Sequence, residues 1–279
     1  MKILVTGACG RLGVYTVNHL LDNKHQVVST DLIPPKEKIA EHIIADLTNL
    51  GECYGVMKGC DAVIHLAAIP VPYTFPNEVV FKNNVLAAYN ILEAAAGLNI
   101  KKVVIASSEC SYGIASSRNG LKPIYLPLDE KHPQLPEDCY GTGKVVGELL
   151  ADSFNRRANM QIVSLRFGNI INIEKYQEFP GFIHDSKKRK HLLWNYIDAR
   201  DAASACLLAV VKDNLGTIKL NIAADDTSMD ILSMDLIKKE YPNVKIMKEI
   251  KGYETLYSNE LAKTILGWKP EYSWRDIVE

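Results

Sequence analysis

A tyrosine and a lysine four residues apart, Tyr140 and Lys144, are the residues whose types and spacing best suit acid–base chemistry. On a helix, this spacing places both side chains on one face, within reach of the same bound molecule. Lowering the pKa of a tyrosine from its usual value near 10 to about 7 takes roughly 4 kcal/mol. An ammonium group about 4 Å away supplies about that much at an effective dielectric near 20. We therefore expect Tyr140, assisted by Lys144, to remove a proton from a hydroxyl group.

A third candidate is Ser108, at the end of the fifth predicted strand. Ligands of parallel sheets bind at the carboxyl ends of the strands. A hydroxyl placed there would bind a reacting oxygen and stabilise it as it changes between alkoxide and carbonyl. The alternative is a serine that merely ends a strand.

Three glycines with the spacing GxxGxxG directly follow the first predicted strand. Such a turn brings backbone N–H groups at a helix N-terminus against a pyrophosphate, and side chains at the glycines would obstruct that approach. A purely structural tight turn is the alternative. The residues expected to contact the cofactor here are Gly7, Cys9, Gly10, Arg11, Leu12 and Gly13.

An acidic residue at the end of the second predicted strand, Asp31, lies 18 residues beyond Gly13. In that register, a carboxylate accepts both hydroxyls of an adenosine ribose, although an aspartate at a strand end can also be a simple cap. A 2′-phosphate about 4 Å away would cost about 4 kcal/mol at an effective dielectric near 20, roughly a thousandfold in affinity. No arginine lies between Leu32 and Lys38 to offset that cost. The sequence therefore predicts NAD rather than NADP.

A base beside NAD indicates an oxidation. A hydroxyl can lose hydride to nicotinamide only if its proton leaves as well, and Tyr140 would accept that proton. Lys144 would also hydrogen-bond the nicotinamide ribose, so both residues are expected to contact the cofactor.

Short apolar runs alternate with amphipathic stretches along the first part of the chain. Unbroken apolar strands are typical of a parallel sheet covered on both faces. Repeated strand–helix alternation predicts a doubly wound α/β fold. The predicted strands are 2–6, 26–30, 42–45, 61–66, 101–106 and 161–167, and the predicted helices are 11–22, 77–97, 140–157 and about 200–212.

The pattern loosens after about residue 168. We expect an NAD-binding Rossmann domain over residues 1–167. Residues 168–279 would form a small substrate-binding lobe and return elements to the main sheet.

Composition excludes several kinds of partner. The 32 Lys and Arg residues nearly balance the 33 Asp and Glu residues, so the chain lacks the basic surface that nucleic acid or anionic lipid requires. The six cysteines are scattered, without CxxC pairs or His neighbours at the spacing of metal ligands, so we expect reduced thiols and no metal. No signal peptide or long apolar span is apparent, and a cytoplasmic location is expected.

Several motifs in order resemble the extended short-chain dehydrogenases, the family of NAD-dependent nucleotide-sugar epimerases, dehydratases and related sugar dehydrogenases. The resemblance covers essentially the whole chain. Its motifs are the glycine turn, Asp31, Asp46-Leu47, His65-Leu66-Ala67-Ala68, Asn84, Ser107 to Gly113, Tyr140 to Lys144, Leu165 to Asn169, Asn195 to Asp201 and Leu266 to Pro270.

The resemblance implies further site residues. Those expected around the cofactor are Asp46, Leu47, Leu66, Ala67, Ala68 and Asn84, and those expected around the substrate are Ser108, Glu109, Cys110, Asn169 and Trp194. Sugar dehydratases of the family carry a Thr-Asp-Glu series where this chain has Ser108-Glu109-Cys110. Cysteine in place of the base carboxylate disfavours dehydration.

Substrate identity stays open. The arginine that often holds a nucleotide before the aromatic residue of the RDF-type segment is absent, and only 22 residues separate Asn169 from Leu192. The basic run Lys187 to Lys190 could contact a phosphate or form a solvated surface. Gly143, where the family often has serine, is a lesser departure.

Three functions are compatible with these residues. The first is an epimerase of the UDP-glucose 4-epimerase type, which oxidises a secondary sugar hydroxyl and returns the hydride. The second is a net dehydrogenase of a uronate or free sugar, and the third is an NAD-binding sensor without catalysis.

Two helices, 77–97 and 140–157, are apolar on more than one face. In the family that the chain resembles, the corresponding helices pair across a two-fold axis, which implies a homodimer. The residues expected to be available for close packing are Ala87, Ala88, Ala94, Ala95, Val145 and Leu149.

Overall fold

The computed structural model describes residues 1–73 and 75–278, which form eleven strands and seven α-helices. The strands are β1 (Lys2–Thr6), β2 (Gln26–Asp31), β3 (Glu41–Ile44), β4 (Ala62–His65), β5 (Lys102–Ser108), β6 (Tyr125–Leu126), β7 (Gln161–Phe167), β8 (Ile170–Ile171), β9 (Ile197–Asp198), β10 (Thr217–Ile222) and β11 (Lys245–Ile246). The helices are α1 (Arg11–Asp22), α2 (Leu50–Met57), α3 (Asn77–Gly97), α4 (Cys139–Ala158), α5 (Ala199–Val211), α6 (Ser233–Glu240) and α7 (Glu260–Leu266).

Seven strands form one parallel sheet in the order β10-β7-β5-β4-β1-β2-β3. Its central strands are apolar on both faces because helices cover both: α1, α5 and α7 pack on one side, and α2, α3 and α4 on the other. The predicted doubly wound Rossmann fold is confirmed. Strand order reverses between β1 and β4, which opens a crevice at their carboxyl ends where such folds bind ligands.

The chain after Phe167 contributes to the sheet and to a smaller lobe. Helix α5 packs against α1, and β10 pairs with β7 at the sheet edge. The lobe has its own apolar core around Trp194, Leu236 and Tyr257, next to the two-stranded pairing of β6 with β11. It therefore stands beside the carboxyl end of β5, over the predicted catalytic residues.

The sequence pattern missed α2, α6, α7 and β10 as defined elements, because each is short or lies in the irregular second part of the chain. Helix α4 starts one residue earlier than expected, since the carboxylate of Asp138 accepts the N–H of Gly141 at 2.8 Å and caps the helix. Among the described residues, no helix has the length and apolar character needed to cross a membrane.

Helices α3 and α4 pack closely against each other within the chain. Contrary to the expectation from the sequence, the four alanines proposed for packing between subunits are buried inside the chain: Ala87, Ala88, Ala94 and Ala95. Only the outer apolar residues of these helices are exposed, among them Phe81, Tyr89 and Leu149.

Candidate active site

The glycine-rich turn is held by its own backbone. The N–H of Gly10 donates to the carbonyl of Gly7 at 3.0 Å, and Gly7 has a φ of +65°. A Cβ on Gly13 would lie 2.1 Å from the oxygen of Gly7, and one on Gly7 would lie 2.7 Å from the nitrogen of Ala67. Glycine is thus required here by contacts between backbone segments, which adds to the reason inferred from the sequence.

Helix α1 begins at Arg11, and no side chain caps its N-terminus. Its first-turn N–H groups and the helix dipole are therefore available to an anion. The turn fits the pyrophosphate of a dinucleotide. The side chain of Arg11 points to the second part of the chain, where it donates to the carbonyl of Ile170 at 3.0 Å, and the side chain of Leu12 is buried in the core.

Asp31 ends β2 beside the same turn. One carboxylate oxygen accepts the N–H of Cys9 at 2.9 Å, and the other accepts the N–H of Leu32 at 2.8 Å. These two bonds fix the orientation of the carboxylate, and each oxygen keeps a lone pair for another donor. The arrangement suits the two hydroxyls of a ribose.

The segment after β4 faces the glycine turn across the crevice. The hydroxyl of Thr6 accepts the N–H groups of Leu66 and Ala67, both at 3.2 Å, and the neighbouring Ala68 is half-buried. Asn84 holds this segment from α3, since its amide exchanges hydrogen bonds with Ile69 in both directions. Asn84 therefore supports the segment after β4, which faces the predicted cofactor site, and its amide does not point into that site.

Asp46 and Leu47 differ in their surroundings. The exposed carboxylate of Asp46 accepts the N–H and hydroxyl of Thr48, which shapes the turn before α2. The side chain of Leu47 is buried in the core, and its carbonyl accepts from Asn90. Only the polar atoms of Asp46 and the backbone of this turn face outward.

The three predicted catalytic residues come together at the carboxyl end of β5. Ser108 lies near enough to Tyr140 to lower the pKa of its phenol, and the Ser108 hydroxyl accepts the N–H of Cys110 at 3.1 Å. Lys144 lies one turn along α4, and its Nζ donates to the carbonyl of Ala106 at 2.6 Å. The ammonium is 5.3 Å from the centre of the Tyr140 ring.

The pKa of Tyr140 differs from the value expected from the sequence. Burial raises the pKa of Tyr140, and the nearby Cys110 and Glu109 add to that effect, while the hydrogen bond from Ser108 opposes it. Burial also lowers the pKa of Lys144 to about 8. Within the protein alone, burial therefore keeps the pKa of the phenol above its usual value, and the expected fall toward 7 does not occur.

A buried ion pair lies behind Lys144. Glu148, one turn after Lys144 on α4, accepts two hydrogen bonds from the guanidinium of Arg166, at 2.8 and 2.7 Å. Glu148 also accepts the hydroxyl of Ser107 at 2.6 Å. These contacts join α4 to the ends of β5 and β7. They fix the position of Lys144 on α4 relative to Ser108 on β5. The sequence interpretation did not identify this pair.

A second polar network lies where the substrate contacts are predicted. Asn195 donates from Nδ2 to Glu109 at 2.5 Å, and its Oδ1 accepts the N–H of Asn169 at 3.2 Å. Arg189 donates to the side chain of Asn169 at 3.1 Å and to Ser228 at 2.9 Å. Glu109 and Asn169 are thus brought together as predicted for one site, by Asn195 and Arg189, which were not predicted.

Cys110 lies beside Ser108 and Tyr140, and burial raises the pKa of its thiol to about 12. The thiol is therefore neutral near pH 7 and cannot replace the carboxylate base of a dehydratase. This agrees with the expectation that dehydration is disfavoured. Among the residues that the structure describes, no cluster of side chains could hold a metal ion.

Contrary to the expectation of a substrate contact, the side chain of Trp194 is fully buried in the lobe core. Its indole N–H donates to the carbonyl of Ser186 at 3.0 Å, and its ring packs edge-on against Tyr241. A large aromatic ring in a small lobe contributes most by filling its core. Trp194 therefore supports the loop that carries Arg189.

Similarity to known proteins shows the family of the chain. The family model for the NAD dependent epimerase/dehydratase family matches residues 3–223. The chain is 25% identical to a UDP-glucose 4-epimerase of Lacticaseibacillus casei, over 100% of this chain and 94% of that protein. It is 26% identical to a uronate dehydrogenase of Pseudomonas syringae, over 60% of this chain and 59% of that protein.

A similar fold is found in a solved short-chain dehydrogenase/reductase superfamily protein of Agrobacterium tumefaciens with bound NAD. The two are 23% identical, the TM-score is 0.79, and the match covers 100% of this chain and 95% of the other.

Proposed function

Since the chain belongs to the NAD-dependent epimerase/dehydratase family and is an NAD-dependent enzyme, we propose that it oxidises a secondary hydroxyl of a sugar or nucleotide sugar in an epimerase-type reaction. The observation that supports this most is that Ser108 ends β5 beside α4, where Lys144 lies one turn after Tyr140 with its Nζ 5.3 Å from the centre of the Tyr140 ring. This is the arrangement that oxidation of a hydroxyl requires.

Each residue has a distinct role in the proposed step. The phenol oxygen of Tyr140, when ionised, takes the proton of the substrate hydroxyl, while Ser108 donates a hydrogen bond to the substrate oxygen as a carbonyl forms. Lys144 has used one of its three donors on Ala106, so the others can hold a ribose hydroxyl and the phenolate. NAD, held by the glycine turn and Asp31, would supply the hydride acceptor and a positive charge.

The similarity to a UDP-glucose 4-epimerase along the whole chain favours an epimerase. In such a reaction bound NAD would give back the hydride that it accepts, so the cofactor would be unchanged overall. The same residues serve both half-reactions, because Tyr140 returns its proton to the substrate oxygen when the hydride returns.

A second candidate is a net dehydrogenase of a uronate or free sugar. The segment between Asn169 and Leu192 packs Tyr176 and Phe179 into an aromatic cluster with Trp274. Those side chains are buried in an apolar cluster separate from the lobe core, so they do not enclose a nucleotide. The similarity to a uronate dehydrogenase favours the same reading.

A turnover assay distinguishes these candidates. Purified enzyme is mixed with NAD and a panel that pairs UDP-glucose with UDP-glucuronate and glucose with glucuronate. Product formed without accumulation of reduced cofactor supports the epimerase, whereas stoichiometric reduced cofactor supports the dehydrogenase. If no sugar of the panel is converted while NAD binds, the proposed function is wrong.

A further inference from the structure

Three residues at successive turns of α4, Tyr140, Lys144 and Glu148, lie on one face of that helix. This face meets the carboxyl end of β5, where the Nζ of Lys144 donates to the carbonyl of Ala106 at 2.6 Å. At the next residue of the strand, the hydroxyl of Ser107 donates to Oε1 of Glu148 at 2.6 Å. Two consecutive residues of β5 are therefore bonded to the helix face that carries the proposed base.

Ser107 is the last residue of β5 on the side of the sheet that α4 covers. Side chains alternate across a strand, and the residues two and four positions earlier, Ile105 and Val103, pack into the apolar core on this side. Arg166 lies beside Ser107 in register on β7, so its side chain points to the same face. A hydroxyl and a guanidinium thus take the place of apolar side chains where the sheet reaches the site.

Glu148 is buried, with 3% of its surface exposed, and each of its carboxylate oxygens accepts two hydrogen bonds. Oε1 accepts from Ser107 and, at 2.8 Å, from Nε of Arg166. Oε2 accepts from Nη2 of Arg166 at 2.7 Å and from Gln134, in the loop before α4, at 3.0 Å. This one carboxylate therefore connects two strands and a loop to the helix, one turn after Lys144.

Stability alone gives little reason for a charged pair at this point. Desolvation of two buried charges offsets much of their attraction, and apolar residues of similar volume often stabilise a protein equally well. Apolar side chains would not accept the hydroxyl of Ser107, and they would place no negative charge near Lys144. These are the two properties that Glu148 adds to the site.

We propose that Glu148 is a positioning residue, which holds the end of β5 against α4 through Ser107 and places a negative charge one turn from Lys144. The proposal rests on the oxidation of a sugar hydroxyl proposed above. In that step Ser108, at the end of β5, and Tyr140, on α4, act on the same substrate oxygen. Their separation must be kept, since a misplacement of about 1 Å can lower a rate by roughly a hundredfold.

Ser107→Ala tests the positional role. The variant loses one hydrogen bond to Glu148, but the carboxylate keeps those from Arg166 and Gln134, so no buried charge loses its partner. We expect kcat per NAD-binding site to fall by roughly tenfold or more. The KM for the sugar and the affinity for NAD should change little, because the glycine turn, Asp31 and the residues of α4 are untouched.

The matched control is Tyr112→Phe, which alters the same buried network away from β5 and α4. The hydroxyl of Tyr112 accepts from Nη1 of Arg166 at 2.7 Å and donates to Asn221 at 2.8 Å. This variant therefore also loses buried hydrogen bonds, but Ser107 and Glu148 keep their contact. It should be destabilised toward urea while its kcat stays that of wild type.

The charge of Glu148 gives a second readout, which a merely structural role would not change. In the described part of the chain, the groups that face the ammonium of Lys144 are Tyr140 and Glu148 from α4, Cys110 from the turn after β5, and His65 from β4. Burial keeps the phenol, the thiol and the imidazole neutral near pH 7. The negative charge of Glu148 therefore favours the protonated lysine, whose pKa burial lowers to about 8.

The double variant Glu148→Met with Arg166→Met removes this charge without leaving a buried charge unpaired. Of the two residues, Glu148 is the one that raises the pKa of Lys144. Without it the pKa of the lysine should fall further, so the alkaline limb of the pH profile of kcat/KM should move to lower pH. Ser107→Ala keeps the carboxylate, and its alkaline limb should coincide with that of wild type.

The possible failures have different signatures. Wild-type kcat in Ser107→Ala, or an equal fall in Ser107→Ala and Tyr112→Phe, overturns the positional role and leaves the oxidation of sugars in place. An alkaline limb that the double variant leaves unmoved overturns the role of the charge. If the double variant does not fold, the comparison of the two single variants still decides the positional role. Absence of turnover by wild type with every sugar of the panel overturns the proposed function, and this proposal with it.

Discussion

Replacing Tyr140 by phenylalanine separates catalysis from folding and from cofactor binding. The ring of Tyr140 is 8% exposed and keeps its packing, so the variant loses only the hydroxyl and its hydrogen bond with Ser108. The remaining partner is not stranded, because Ser108 still accepts the N–H of Cys110 at 3.1 Å. The expected loss of stability is about 1 kcal/mol.

The effect on turnover should be much larger. Loss of a positioned acid or base lowers kcat by roughly a hundredfold to ten-thousandfold. NAD affinity should change little, since the phenol takes no part in the glycine turn or in the Asp31 contacts. The assay is kcat on a sugar that turns over, together with NAD titration by quenching of protein fluorescence.

Lys144→Ala is the comparison that makes the result specific. It removes the donor that bonds to Ala106 at 2.6 Å and the group expected to hold the ribose, so turnover and NAD affinity should both fall. If Tyr140→Phe keeps near-normal turnover, the assignment of the base is refuted and Glu109 becomes the candidate. If the two variants lower NAD affinity equally, Lys144 has no separate role in holding the cofactor.

Three further predictions concern the cofactor, the assembly and the response to pH. Asp31→Asn should lower the preference for NAD over NADP by roughly tenfold to a hundredfold. This is less than the full Coulomb estimate because Asp31 is partly exposed to solvent. A wild-type protein that binds NADP as tightly as NAD would contradict this prediction. Leu149, which is 61% exposed on α4, should lie in a homodimer interface, so Leu149→Glu should give a monomer by light scattering where wild type gives a dimer. Burial lowers the pKa of His65 to about 3, so the unfolded state takes up this proton first and the free energy of unfolding should fall as pH drops from about 6.5 toward 3. Urea denaturation of His65→Asn should show a shallower fall, and equal slopes would exclude His65 as the cause.

The cofactor half of the site could be predicted because its determinants are local in sequence. The glycine turn and Asp31 each follow a strand directly, and the strand order of a doubly wound sheet brings them together without further information. Tyr140 and Lys144 are one helical turn apart, so their shared face follows from helix geometry. Local spacing was sufficient in each case.

The substrate half depends on contacts between distant segments. Arg189 belongs to a run of four basic residues, and only the fold separates it from the exposed Lys187 and Lys188. It has a φ of +58°, which turns the chain back so that its side chain reaches Asn169. Nothing in the sequence distinguished Arg189 from its neighbours. Trp194 was misinterpreted for a similar reason, because an aromatic residue near a site and one in a lobe core have the same local sequence pattern.

The pKa values of Tyr140 and Lys144 indicate what the proposed base still requires. Burial moves the two groups in opposite senses, raising the pKa of Tyr140 and lowering that of Lys144 to about 8, because both charged forms lose solvation. The protein by itself therefore favours the neutral phenol. An ionised Tyr140 requires a further positive charge that is equally shielded from water, and the nicotinamide is the group expected to supply it. Under the proposed function, ionisation of Tyr140 would be coupled to cofactor binding, which would restrict proton removal to the complex in which a hydride acceptor is in place.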